Sequence, residues 1–242
     1  MIESVPETLA AVISAFWNAS DKELQKAFDH KAFYAKCVAL FNGEPNFIQK
    51  LDALDELVDE HPEIASIREY LVDLLFIHFF NEDVQRLEAD YLDSPEWEKI
   101  EDETIDRGTE LLNLHLYINE CKEEDEQAEL SHFLKEFLLV DEDEFQDEYK
   151  IYESVIANQI LVEAEQSEIA KVYQSLKEND DIKDVFYPLM TFFSNIVFDI
   201  ENYEAYLKYS INKNYDAAVL AGIYSYHHGN GLFPKTFINC KN

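Results

Sequence analysis

Glu129 and His132 stand three residues apart in Glu-Leu-Ser-His, the spacing at which a carboxylate and an imidazole share one face of a helix and can ligate one metal ion. A di-iron carboxylate bundle needs two such pairs and a Glu from each of two further helices, and this chain holds a single pair. His227-His228-Gly-Asn-Gly with Cys240 offers two imidazoles and a thiolate to zinc, but adjacent histidines at a helix end diverge and no fourth ligand has a recognisable spacing. Dipole complementarity and a C-cap at Gly229 account for these residues better. The run Asp141 to Tyr152 has the alternating acids of a calcium loop, yet Phe145, Gln146 and Tyr152 occupy the places of the fifth ligand, the turn glycine and the bidentate Glu. Its acids are expected at a helix N-terminus. No nucleophile elbow, phosphate-binding glycine loop or Cys–His pair is present, and five glycines leave few tight backbone turns. The expectation is a chain with no catalytic residue, no metal and no cofactor.

Acids are the dominant chemical feature. The 242 residues carry 51 Asp and Glu against 19 Lys and Arg, a formal net charge of -32. Their distribution is uneven: 14 acids against 6 bases over residues 1–80, 29 against 6 over 81–168, and 8 against 7 over 169–242. Glu82 to Glu110 holds twelve acids against Arg86, Lys99 and Arg107. A solvated face is the ordinary meaning of a charge run, but uncompensated like charges also repel and oppose compaction. Such a field disfavours nucleic acid and anionic membrane as partners and favours a basic protein. The candidate contact residues are Asp90, Asp93, Glu96, Glu98, Glu101, Asp102, Glu103 and Asp106, with Tyr91 and Trp97 as aromatic anchors among them.

The elements that must position these residues are helical. Hydrophobic residues make up 47% of the chain, enough for a sizeable core, while Gly and Pro are scarce. Apolar residues recur at helical spacing, as in Ile64, Ile67, Leu71 and Leu74, or Val185, Leu189 and Phe193. The pattern predicts helices over about 6–18, 21–42, 46–60, 63–80, 82–92, 95–121, 125–139, 142–165, 168–178, 181–198, 201–210 and 214–227. Ser4 with Glu7 and Ser20 with Glu23 match the capping box, and Ser94-Pro95 and His61-Pro62 place Pro in a first turn. Short connections make this an all-α chain of ten to twelve antiparallel helices, stacked as a solenoid or packed as an irregular bundle. Tyr70 to Phe80, apolar except at Asp73 and His78, is the expected central helix. One domain spanning 1–242 is expected, with a possible sub-boundary near 167 where the charge drops.

Pro62 and Pro95 lie 33 residues apart, each closing a stretch, Asn46 to His61 and Asn81 to Ser94, that resembles the second helix of a tetratricopeptide hairpin. Val38, Lys50, Leu71 and Asp83 stand where that family has small residues. Ala217 to Leu232 resembles part of a Sel1-type repeat, with Tyr226, Gly229, Gly231 and Leu232 fitting its turn. These resemblances imply a protein-binding scaffold without chemistry of its own. In overall profile, though in no motif, the chain is similar to the acidic immunity proteins and inhibitors that block basic nucleases and toxins. Three scattered cysteines, Cys37, Cys121 and Cys240, point to a reducing compartment, and with no basic, apolar leader at Met1 to Pro6 the cytoplasm is expected. The favoured expectation is a non-enzymatic acidic module that docks on a basic protein and blocks it. The alternatives are a tetratricopeptide-like scaffold or a helical enzyme or metalloprotein with a dispersed site.

Overall fold

A computed structural model describes residues 4–44, 46–82, 91, 93–141, 144–145, 151–196 and 199–228. Among them the chain is all-α apart from one small hairpin. The helices are α1 (Ser4–Ala19), α2 (Lys22–Ala27), α3 (His30–Phe41), α4 (Phe47–Asp59), α5 (Arg68–Glu82), α6 (Pro95–Thr104), α7 (Leu111–Glu124), α8 (Leu130–Leu138), α9 (Glu153–Ala157), α10 (Gln166–Ser175), α11 (Lys183–Phe193), α12 (Ile200–Tyr209) and α13 (Lys213–His228). A 3₁₀ turn over Pro62–Ile67 leads into α5, and a second, Gln159–Glu163, follows α9. No helix among the described residues is long and apolar enough to cross a membrane.

The first and last described helices, α1 and α13, pack along each other and form the axis of an irregular bundle. Their sequences explain the pairing. Ala10, Ala11, Ser14 and Ala15 on α1, and Ala217, Ala218, Ala221, Gly222 and Ser225 on α13, are all buried, and small side chains let two helix backbones approach closely. Around this pair lie α3, α5, α7, α11 and α12. Consecutive elements also pack in order, α3 on α4, α4 on α5, and α10 on α11. One continuous apolar core runs from Val5 to Tyr226. As expected, α5 is buried nearly all round from Tyr70 to Phe80. Its two polar residues are satisfied inside: His78 Nε2 lies 2.9 Å from the Phe41 carbonyl, and Asp73 accepts from Thr109.

Several local expectations are corrected. The predicted helix 21–42 breaks at Phe28 and Asp29, where Asp29 caps α3 through the Ala32 amide. The N-cap of α2 is Asp21, which accepts from the Glu23 and Leu24 amides, while Ser20 instead donates to the Phe16 carbonyl at 2.7 Å. Asp21 is the stronger acceptor for two converging amides, so it takes the role assigned to Ser20. Pro95 opens α6 as predicted, and Ser94 caps that helix, accepting from the Trp97 amide at 3.2 Å. The expected helix 142–165 is replaced by Glu144–Phe145, which pairs antiparallel with Leu139–Asp141, and then by α9 and the second 3₁₀ turn. Asp141 and Glu144 are therefore hairpin residues and do not sit at a helix N-terminus. Of the tetratricopeptide-like segments, Asn46 to His61 contains α4, and most of Asn81 to Ser94 lies outside the described residues, as do Gly229, Gly231 and Leu232.

The break of greatest consequence falls inside the predicted helix 95–121. The chain leaves α6 at Thr104 and re-enters a helix only at Leu111. Gly108 has φ +87°, in the left-handed region that favours glycine. A Cβ built there would lie 2.6 Å from Asp73 Oδ1. Gly108→Ala is therefore expected to cost about 1–3 kcal/mol of unfolding free energy, measured by urea titration followed by circular dichroism. A loss below a few tenths of a kcal/mol would show that the loop can relax around the methyl group.

Candidate functional site

Two acidic features surround this loop. The first is α6 itself. Trp97, Ile100 and Thr104, at i, i+3 and i+7, face inward, with Ile100 and Thr104 buried. Glu96, Glu98, Glu101, Asp102 and Glu103 are exposed, as are Asp93 before the helix and Asp106 after it. Lys99 to Glu103, at 3.6 Å, is the ion pair within this group. Among the described residues no cation pairs with Glu96, Glu98, Glu101 or Asp102.

The aromatic residues assigned to the same face are placed differently. Trp97 is half-buried, its ring 5.4 Å from Phe80 and 6.2 Å from Tyr91, and Tyr91 lies 6.3 Å from Phe79. They anchor α6 to the end of α5 and present only part of their surface outward. Asp90 lies outside the described residues. Beside them Ile105 is 78% exposed, the most exposed large apolar side chain described.

The second feature begins at the turn after α6. Arg107 makes a bidentate pair with Asp55 on α4 (2.8 and 2.9 Å) and reaches Glu69 on α5 at 3.0 Å. Arg68 also holds Asp55, at 2.9 Å, and pairs with Asp59. Burial alone would push the Asp55 carboxyl up, but hydrogen bonds and charge from the two guanidinium groups outweigh it and hold it below its ordinary range. The Gly108 amide donates to Glu69 (2.8 Å), and the Thr109 amide and hydroxyl donate to Asp73 (2.8 and 2.5 Å). Asp73 is fully buried, and that burial pushes its carboxyl well above its ordinary range despite the Thr109 bonds. Three carboxylates from α4 and α5 thus clamp residues 107–109. This clamp selects a left-handed glycine turn where composition favours helix.

Outside the clamp opens a cavity of about 320 Å³ lined by Ser66, Glu69, Tyr70, Gly108, Thr109, Glu110, Asp181, Asp184, Val185 and Tyr215. Four carboxylates line it and no Lys, Arg or His does. None of its residues was picked out as a contact or site residue from the sequence, because they come from four separate stretches and only Glu110 falls within the acid run.

The histidine motifs are not drawn together. His132 lies 3.9 Å from Glu126 and packs edge-on against Tyr117. His227 Nδ1 and His228 Nε2 are 2.9 Å apart, with His227 edge-on to Phe192. Burial pushes His227 down to about 4. Cys240 lies outside the described residues. No group of three or more His, Cys, Asp or Glu among the described residues is arranged to hold a metal ion. No protein-family model, curated protein or solved structure matches the chain.

Proposed function

We propose that the protein is a non-enzymatic acidic module that docks on a basic protein through the outer face of α6 and blocks that partner's working surface, as toxin-immunity proteins and nuclease inhibitors do. The observation that carries the reading is the state of the α6 acids: Glu96, Glu98, Glu101 and Asp102 are exposed on one short helix, and no described cation neutralises them. Some exposed acids elsewhere are paired, as Glu60 with Lys36 and Glu178 with Lys183. Uncompensated charge raises the free energy of the compact state, and a cationic partner removes that cost while the same field speeds encounter. Ile105 at the helix end supplies exposed apolar area beside the charges. Cys37 and Cys121 are both buried and unbridged, in keeping with a reducing compartment such as the cytoplasm.

The test is capture of the partner from the native host, followed by binding measurements on charge-reversed variants. Glu98→Lys with Asp102→Lys is expected to weaken partner binding by at least tenfold at about 0.15 M salt, where longer-range field effects are largely screened. Stability should change by less than about 0.5 kcal/mol, since exposed charges contribute little. The same reversal at Glu201 and Glu204, exposed on α12, is expected to change affinity by less than about threefold. Equal losses from the two pairs, or none from the first, would reduce α6 to a solvated face.

A further inference from the structure

The cavity beside residues 108–110 combines charge with a hydroxyl that has no described protein partner. Tyr215, in the first turn of α13, is only 9% exposed and lines the cavity, yet its hydroxyl makes no hydrogen bond to any described residue. That hydroxyl is not sealed in the core. It retains accessible area, and Tyr215 is among the residues that line the cavity. Burial, and then the charges of Asp184 and Asp73, push the phenol above its ordinary range, so at neutral pH it is an intact O–H with free lone pairs. A hydroxyl without a protein partner is a hydrogen-bonding group that a bound polar ligand can engage.

Around Tyr215 the wall chemistry has one sign. Asp181 and Asp184, at the mouth, have neither hydrogen bond nor ion pair among the described residues. Glu110 accepts a weak 3.4 Å bond from Asn113, and Glu69 is held by Arg107 and the Gly108 amide. The Arg107 guanidinium is committed to Asp55 and Glu69 and does not line the cavity. Tyr70, Tyr215 and Val185 complete the wall with aromatic and aliphatic surface. Carboxylates spread around the rim with a partly apolar interior do not suit a bare metal ion, which needs several ligands converging within about 2–2.6 Å. The arrangement suits a cation that carries its own hydrocarbon or planar body, with N–H donors for the carboxylates and phenol and a face for the rings.

We propose that this cavity binds an alkylammonium or guanidinium group, with Asp184, Asp181 and Glu110 neutralising the charge and the Tyr215 hydroxyl accepting one of its N–H bonds. The group has two chemical sources, a free small amine or the Lys or Arg side chain of a protein. The site stands apart from the α6 reading, and either can fail without the other. Its location, immediately after α6 in the chain, would let a basic side chain of a docked protein reach it.

The experiment titrates the full chain, in about 0.15 M salt to suppress diffuse attraction, with agmatine, putrescine, and blocked Gly-Arg-Gly and Gly-Lys-Gly peptides, followed by calorimetry and by NMR of the tyrosine rings. Saturable binding of at least one probe at a single site is expected. Asp184→Asn with Glu110→Gln should weaken it at least tenfold and Tyr215→Phe at least threefold, whereas Glu98→Gln with Asp102→Gln, which removes equal charge from α6, should change it less than twofold. Binding of the free amines alone assigns a small-molecule site, and binding of the peptides assigns a side-chain socket. Absence of saturable binding by every probe, or equal weakening by the cavity and α6 pairs, overturns the proposal in favour of a general counter-ion field.

Discussion

Gly222→Ala is expected to destabilise the fold by at least about 2 kcal/mol, which for a chain of this size corresponds to a melting temperature lower by roughly 4–8 °C. Alanine is the better helix former by about 1 kcal/mol, so on propensity alone the change should stabilise α13. Packing reverses the sign. A Cβ at Gly222 would lie 2.0 Å from the Tyr70 hydroxyl oxygen and 2.8 Å from both Tyr70 Cζ and Val12 Cγ2. Neither neighbour can swing aside, because Tyr70 and Val12 are fully buried and the Tyr70 hydroxyl is also within 3.3 Å of His115 Nε2. Relief therefore requires α1, α5 and α13 to separate where they pack most closely. Tyr70→Phe removes the most crowded atom, at a cost of about 1 kcal/mol for the lost hydrogen bond. In the double variant the two losses should fall short of additivity by 1 kcal/mol or more. Additive losses would place the strain elsewhere, and an unchanged or raised stability for Gly222→Ala would show that the helices do not meet there.

That contact also shows which parts of the structure are legible in the sequence. The inward face of α5 follows from periodicity, because each apolar residue there reports on its own helix. The pairing of α1 with α13 joins segments about 200 residues apart. Its only local trace is two runs of small residues, Ala10-Ala11 with Ala15, and Ala217-Ala218 with Ala221-Gly222, and these also satisfy the helical pattern. The break at Gly108 was hidden for a related reason. Residues 95–121 are rich in helix formers, and the left-handed turn exists because Asp55, Glu69 and Asp73, from two other helices, seize Arg107, Gly108 and Thr109. Local propensity cannot register a clamp supplied from 35 to 55 residues away.

The two acidic features differ in the same respect. The α6 face was readable because its carboxylates are contiguous in sequence and amphipathic at helical spacing. The cavity was not, since Glu69, Glu110, Asp184 and Tyr215 become neighbours only when the loop after α6 is pinned to α5 and α13 closes the bundle. Asp184 and Tyr215 lie in the near-neutral third of the chain, where charge counting gave no reason to look.

The buried acid next to Tyr215 sets the sign of a pH effect. Asp216 is fully buried, its Oδ2 accepting from the Ser210 hydroxyl at 2.6 Å while Oδ1 has no partner. Burial pushes its carboxyl up to about 7, against the Ser210 and Asn212 hydrogen bonds and aided by the charge of Asp184. Its other neighbours are the phenols of a stacked series, Tyr173 on Tyr187 at 5.0 Å and Tyr187 on Tyr206 at 4.5 Å. Burial pushes these phenols up as well, so they stay neutral and supply no compensating charge. The folded state therefore binds the Asp216 proton more tightly than the unfolded chain does, where the carboxyl titrates near 3.8. The resulting penalty is absent below about pH 4, grows as pH rises, and is complete above about pH 7. Roughly three pH units at about 1.4 kcal/mol each set an upper bound near 4 kcal/mol. Asp216→Asn imitates the protonated carboxyl at every pH, so it should stabilise the protein by no more than about 1 kcal/mol at pH 4.5 and by about 2–4 kcal/mol at pH 8. Other acids titrate over the same range, and for this reason the quantity to measure is the difference in unfolding free energy between variant and wild type at each pH, from urea titrations. A difference that stays flat from pH 4.5 to 8 would mean that Asp216 keeps an ordinary pKa and that its unpartnered oxygen is solvated in the folded protein.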